Sequence, residues 1–470
     1  MVARAPAEKE ASTGRTVRRT GSSRAAALLS FLSILGLVCW QGRDALCEEP
    51  QAAPLRPADL LTWRSGEENE LVLRGWLAAD LRAFPRTEVD YGRSWHVEPV
   101  LSSARVSSRF RLWRVVRGRL DLELAEASPD VQEAWFEYRP FELLGLRAGR
   151  VKVPFGMAPQ LSVPDYRLLG APMVFGNNKD FRDAGFLVLG DWREGYVGYS
   201  VGAVLGSRDV AVDVNDKPDI AGRLLLHAPQ DSGSWLSGLH VGGAATWGDG
   251  PTRHGYRGRT LAGHSFLNPP SIRGEQLRLG GELEYVTPWF RLAGEYTRTV
   301  QQRRGIVENQ KVGKTYAEVA DLEDYAVSGW YTEASVHLFG KRALSWAQAG
   351  GPESEGQPDD PGSSLSPRSG LELCGRFETL DVGDGDRSVD VEGGTEDHAP
   401  LADTSVMGIT AGINYYFEPG IRLTLAWQGL RFEDGSLAPD HVAPETVEEP
   451  TTGPGSTWTH QLFLRTQLSI

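Results

Sequence analysis

The segment MGITAGINYYFEPGIRLTLAWQGL, residues 407–430, carries the clearest pattern in the chain. Met407, Ile409, Ala411, Ile413, Tyr415 and Phe417 alternate with Gly408, Thr410, Gly412 and Asn414. After Glu418-Pro419-Gly420, the residues Ile421, Leu423, Leu425 and Trp427 alternate with Arg422, Thr424 and Gln428. Successive side chains of a strand point to opposite faces, so each half reads as a strand with one apolar and one polar side. The Glu-Pro-Gly between them is a turn signal, and the whole predicts a β-hairpin.

Working outward, the same two-residue period recurs in 70–84, where Leu71, Leu73, Leu77 and Leu81 oppose Arg74, Asp80 and Arg82. It can be followed through 222–229, 239–248, 275–286, 289–300, 329–340, 371–383 and 460–470, while amphipathic helical periods are scarce. Strands of about 9–11 residues with one apolar face suit a transmembrane barrel, although alternation alone leaves a soluble sandwich open. Connections are of two kinds, short ones such as 287–289 and long polar ones such as 248–274 and 347–370. Short turns at one end and long loops at the other are the expectation for an outer-membrane barrel. The fold expected is therefore all-β, a transmembrane antiparallel β-barrel over 70–470.

The N-terminus agrees with export. Arg15, Arg18, Arg19 and Arg24 precede AAALLSFLSILGLVCW, an apolar run of signal-peptide length that is short for a spanning helix. Cleavage after Cys47, with Ala45 at the third position before the cut, gives a signal peptide over 1–47 and a short periplasmic segment over 48–69. A lipoprotein reading at Cys39 is disfavoured by Val38 in place of a small residue. The leader holds seven Lys/Arg and three Asp/Glu, so its removal takes the formal charge from -13 to -17 (-13 minus 4). So acidic a chain argues against a nucleic-acid surface. Of its 3 cysteines only Cys374 would remain, which excludes an internal disulfide. The last strand alternates Leu462, Leu464, Leu468 and Ile470 with Phe463, Arg465, Gln467 and Ser469, ending on an aliphatic residue where such barrels usually carry an aromatic one.

In their order, the segments LRGWLAADLRAF (73–84), FRLWRVVRGRL (110–120), VQEAWFEYR (131–139), LRAGRVKVPFGM (146–157), RDAGF (182–186), DIAGRLLLHAP (219–229) and FRLAGEYTRTV (290–300) form a recognisable series. It continues with SGWYTEASVHLFG (328–340), LELCGRFETLDVGD (371–384), INYYFEPGIRLTLAW (413–427) and LRTQLSI (464–470). The series resembles the phosphate-selective porin O and P family of Gram-negative outer membranes. The resemblance implies sixteen strands, a homotrimer, and a third outer loop, here 154–182, folded inward as a constriction. It also implies a pore lined by arginines and lysines that passes small anionic solutes, phosphate or polyphosphate, by passive diffusion. Lipid and lipopolysaccharide of the outer membrane would be the surrounding partners.

The candidate pore residues follow. Arg147, Arg150 and Lys152 crowd one short segment, and an Arg or Lys facing lipid at mid-membrane costs roughly 2–4 kcal/mol, so they must face the lumen or leave the hydrocarbon. Arg147 has the opposite parity to the other two. Either a bulge at Gly149 shifts the register or the strand ends there, and both place the three cations at the mouth of a narrow passage. The loop adds Arg167, Lys179 and Arg182. Arg74 and Arg82 share a face with Asp80, Arg291 with Glu295, and Arg376 lies between Glu372 and Glu378, which reads equally as a wall of ion pairs. The acidic stretches 353–360 and 381–398 are expected as outer loops, solvated or bridged to lipopolysaccharide by divalent ions. Gly383 breaks any EF-hand spacing after Asp381.

Catalytic signatures are missing. VGKT at 312–315 has Glu308 in place of the first P-loop glycine, and no HExxH, CxxC or GxSxG occurs. The 9 histidines are scattered. No enzyme, cofactor or metal is expected. The alternatives to an anion pore are a general or cation-tolerant porin, a structural or adhesive barrel with a closed pore, and a barrel hydrolase whose residues converge from separate strands.

Overall fold

The computed structural model describes residues 61–469 apart from 67, 89–91, 126–127, 177–180, 193–195, 207–216, 229–235, 268–269, 288, 307–319, 340–369, 384–403, 419 and 434–456. The expected signal peptide and Lys179 lie outside the described residues. Among these residues the chain is built from strands, with 3-10 turns at Ala158–Gln160, Val163–Asp165 and Met173–Phe175.

The strands are β1 (Thr62–Ser65), β2 (Asn69–Glu88), β3 (Gly92–Leu112), β4 (Val116–Glu123), β5 (Asp130–Phe141) and β6 (Leu144–Lys152). They continue with β7 (Arg182–Trp192), β8 (Val197–Val204), β9 (Asp219–His227), β10 (Leu239–His254), β11 (Ser271–Val286) and β12 (Phe290–Ile306). The last are β13 (Ala320–Phe339), β14 (Gly370–Gly383), β15 (Thr404–Glu418), β16 (Ile421–Phe432) and β17 (Thr457–Ser469). Of these seventeen, β1 forms a short hairpin with β2, and the other sixteen close into an antiparallel barrel in which β17 pairs with β2. Each strand pairs with its sequence neighbours, so the sheet needs no crossover.

The 407–430 hairpin has the expected form, with β15 and β16 in register from Val406↔Phe432 to Tyr416↔Arg422 and a shift of one residue before Glu418↔Ile421. Its outward residues Ile409, Ile413, Phe417, Ile421 and Leu425 are exposed, whereas Thr410, Asn414, Arg422, Thr424 and Gln428 are buried. The same inversion holds on β17, where Leu462, Leu464 and Leu468 face out and Arg465 and Gln467 face in. A protein that exposes leucines and buries arginines has its solvents reversed: hydrocarbon outside and a polar interior. Exposed aromatics cluster at one end, at Phe141, Trp192, Trp289, Phe339 and Phe417, which all lie at or next to strand ends. Such rings anchor a barrel at the lipid–water interface.

Strand order assigns the connections to two ends. The end with most of the short links carries 113–115, 142–143, 193–196, 287–289 and 419–420, and also 228–238 and 340–369; the other carries 89–91 and 124–129 beside 153–181, 205–218, 255–270, 307–319, 384–403 and 433–456. One expectation changes. The long loop expected at 248–274 shrinks to 255–270, because β10 runs on to His254 and β11 starts at Ser271. The acidic stretch 353–360, and 381–398 beyond Gly383, lie outside the described residues.

If Leu425 faces mid-membrane lipid, Leu425→Arg should destabilise the barrel by about 2–4 kcal/mol and Phe417→Arg, near the interface, by about 0–1 kcal/mol. Denaturant unfolding of vesicle-reconstituted protein would measure both, and equal losses would contradict the membrane placement.

Candidate functional site

The barrel interior is the candidate site, and its geometry starts at β6. Residues 144–148 alternate in exposure, Gly149 is half-buried like Ala148, and Arg150, Val151 and Lys152 are all buried. Neither expected device causes this. The β5–β6 pairing stays in step through Trp135↔Gly149 and Ala134↔Arg150, and the β6–β7 pairing runs on to Lys152↔Arg182. There is no bulge at Gly149, and the strand does not end there. Instead Gly149 adopts φ 128°, and a Cβ on it would lie 2.2 Å from the Ala134 carbonyl oxygen. Glycine alone tolerates this conformation, which changes the facing of the strand without changing its register.

Each cation that follows has a carboxylate within reach where the contact is resolved. Arg147 donates Nε and Nη2 to Glu137 Oε2 at 2.9 and 2.6 Å, and its guanidinium lies 4.1 Å from the centre of the Trp135 ring. Lys152 Nζ is 3.5 Å from Glu133 Oε1 and donates to the Gln160 carbonyl at 2.6 Å. Arg150 and Arg182 are buried beside them. Arg82 is 3.4 Å from Asp80 and donates to the Ala262 carbonyl at 2.9 Å, while Arg74 on the same strand is half-buried.

The segment from Val153 to Phe181 leaves the wall and returns at one point, where Val153 N–H donates to the Phe181 carbonyl at 2.9 Å. Between those residues it crosses the lumen. Met157 and Ala158 N–H donate to the two oxygens of Glu295 on β12, at 2.6 and 2.8 Å, and Tyr331 hydroxyl donates to the same carboxylate. Arg167 Nε donates to Glu372 on β14 at 2.8 Å, and Met173 N–H to Glu378 at 2.6 Å. In return Arg376 and Arg465 donate to the Gly170 and Leu169 carbonyls at 2.9 and 2.8 Å. The wall makes room: a Cβ on Gly412 would come 2.7 Å from Leu168 Cδ2. Phe155, Met157, Leu161, Tyr166 and Phe175 form a buried apolar cluster on this loop. Of the loop expected at 154–182, the described residues 154–176 thus fold inward, whereas Arg182, expected in the loop, is the first residue of β7.

A second loop, 255–270, also enters the lumen, which the sequence reading did not foresee. Leu261 and Ala262 N–H donate to Gln428 and Gln461 at 3.3 and 3.2 Å, and Ala262 packs with Phe84, Leu169, Ala426 and Phe463. Tyr256 hydroxyl donates to the Met173 carbonyl, joining the two loops. The available signal was the apolar trio Leu261, Phe266 and Leu267 inside a polar loop.

The wall behind the loops is an ion-pair network. Arg291 bridges Glu284 at 2.7 Å and Glu333 at 2.9 Å, and Arg376 joins Glu333 at 2.8 Å, all at near-zero exposure. Glu295, paired with Arg291 in the sequence reading, instead holds the loop. Beneath the loop lies a cavity of about 30 Å³, bordered by Arg147, Lys152, Arg223, Gln160, Tyr199 and Ser200 and by the aliphatic side chains of Leu187, Leu189 and Leu225.

No family model and no curated protein sequence matches the chain. Solved structures do match it in fold. OmpT, an outer membrane protein of Vibrio cholerae, aligns at TM-score 0.51 with 9% identity, covering 86% of this chain and 99% of that one. The outer membrane channel DcaP of Acinetobacter baumannii aligns at TM-score 0.50 and 10% identity, covering 87% and 99%. An anion-selective porin from Comamonas acidovorans aligns at TM-score 0.51 and 11% identity, covering 86% and 100%. At such identity the likeness establishes the fold, that of an outer-membrane porin barrel.

Glu295 offers a direct test of the loop's attachment. Glu295→Ala leaves two backbone donors and a tyrosine hydroxyl without their acceptor, a loss on the order of 3 kcal/mol. Limited proteolysis should cut between residues 157 and 176 in the variant and spare the parent; equal resistance would show that the loop is held by other contacts.

Proposed function

We propose that the chain is an outer-membrane channel for passive diffusion of small anionic solutes, phosphate or polyphosphate, exported by a cleaved signal peptide and assembled as a homotrimer in outer-membrane lipid. One observation carries the anion reading. Arg147, Lys152 and Arg223 converge on the cavity beneath the inner loop, and no carboxylate is among the residues that border it. Their partners Glu137, Glu133 and Glu282 lie behind them, at 2.6, 3.5 and 2.7 Å. Positive charge facing a narrow, low-dielectric space acts on an anion more strongly than the same charge in open water, even in an acidic protein. The mechanism is size exclusion with electrostatic attraction, and it has no covalent step.

A second reading is favoured by the packing. The apolar cores of the loops that enter the lumen are buried against the wall, which narrows any passage beside them. A barrel whose lumen stays closed, with a structural or adhesive role, is the rival.

Planar-bilayer recordings in asymmetric salt, with and without added phosphate, decide between them. The channel reading expects measurable conductance with a reversal potential of anion preference, reduced in Lys152→Gln and Arg223→Gln. Cation preference unchanged by those substitutions would refute the anion assignment, and absence of conductance from inserted protein would support the closed barrel.

A further inference from the structure

Two of the 9 histidines, 13 residues apart in sequence, meet across the β9–β10 ladder. His227 ends β9, His240 is the second residue of β10, and the two are paired directly in register. Their neighbours Leu226 and Val241 are exposed on the lipid face, so the imidazoles face the lumen at its short-turn end. The ring centroids are 4.6 Å apart at 75°, and the two Nδ1 atoms confront each other within hydrogen-bond reach. Facing nitrogens cannot both carry a proton, so at least one presents its lone pair to the other. Across the next ladder His240 pairs with Glu284, whose carboxylate is held by Arg291 Nε at 2.7 Å.

We propose that His227 and His240 form a two-imidazole site for a borderline divalent transition ion such as Zn²⁺, Cu²⁺ or Ni²⁺. Imidazole nitrogen suits these ions, whereas Ca²⁺ and Mg²⁺ require oxygen ligands. Among the described residues no group of three or more His, Cys, Asp or Glu has metal-holding geometry, so water completes the coordination. Bonds of about 2.0–2.1 Å to both nitrogens hold the rings a little further apart than they now stand, a shift available to two side chains at the end of a hairpin. The bound ion clamps β9 to β10 and adds positive charge at the short-turn exit of the lumen.

The test uses the full chain folded in detergent micelles and titrated with Cu²⁺ at pH 7.5. One equivalent should bind with an electron paramagnetic resonance spectrum split by two nitrogens. His227→Gln and His240→Gln should each lose the two-nitrogen splitting and at least about tenfold in affinity, while His96→Gln keeps both. No stoichiometric binding by the parent, or a two-nitrogen spectrum that persists in either histidine variant, overturns the proposal.

Discussion

The pairing of β17 with β2, from Leu462↔Ala83 to Ser469↔Trp76, is the contact on which the rest of the molecule depends. In hydrocarbon a backbone amide or carbonyl without a partner costs several kcal/mol, and an open sheet edge would present a row of them. Closure removes both edges at once. It also fixes what every other residue can be, because each strand then has one face in lipid and one in the lumen. With most of the lipid face given to Leu, Ile, Val and aromatic rings, most charge lies in the connections, in the interior or towards the strand ends, where the exposed Arg304–Asp324 pair sits.

That confinement explains the character of the interior. A buried charge is tolerated when a partner and hydrogen bonds replace its water, and removal of one partner then costs far more than the pair contributes. The chain Glu284–Arg291–Glu333–Arg376 meets this condition along the wall. Glu295, Glu372 and Glu378 meet it differently, with acceptor oxygens filled by amides or a guanidinium of the inner loop. The loop thus does for the wall carboxylates what water does in a wide pore, and the wall carboxylates do for the loop amides what a sheet does elsewhere. Wall and plug are two halves of one hydrogen-bonded system.

The same logic separates what was legible in the sequence from what was not. The 407–430 hairpin could be read because lipid on one side enforces strict alternation within a dozen residues, a local signal. The same cost of charge in lipid leads to the expectation that Arg147, Arg150 and Lys152 face the lumen or leave the hydrocarbon, yet the local device is not legible: Gly149 uses a positive φ, which leaves no trace in the alternation pattern beyond the glycine itself. Partners far apart in sequence were out of reach, as with Arg167 and Glu372, separated by 205 residues. The entry of 255–270 into the lumen depends on Gln428 and Gln461 of the opposite wall, and nothing near the loop encodes them. The count of sixteen came from family resemblance, since the spans of β4 to β9 do not all announce themselves.

Ion pairing and the proposed anion attraction are compatible. Arg147 gives Nε and Nη2 to Glu137 and its face to Trp135, which holds the guanidinium rigidly where it borders the cavity. A loose cation would collapse onto the nearest carboxylate or fold back to solvent, at an entropic gain that a long side chain readily takes. A pinned one keeps its place when a passing anion arrives, so the carboxylate behind it lowers the field but supplies the preorganisation. Under the anion-channel proposal, selectivity would be set by which member of each pair borders the cavity, and at β6 and β9 the bordering members are Arg147, Lys152 and Arg223.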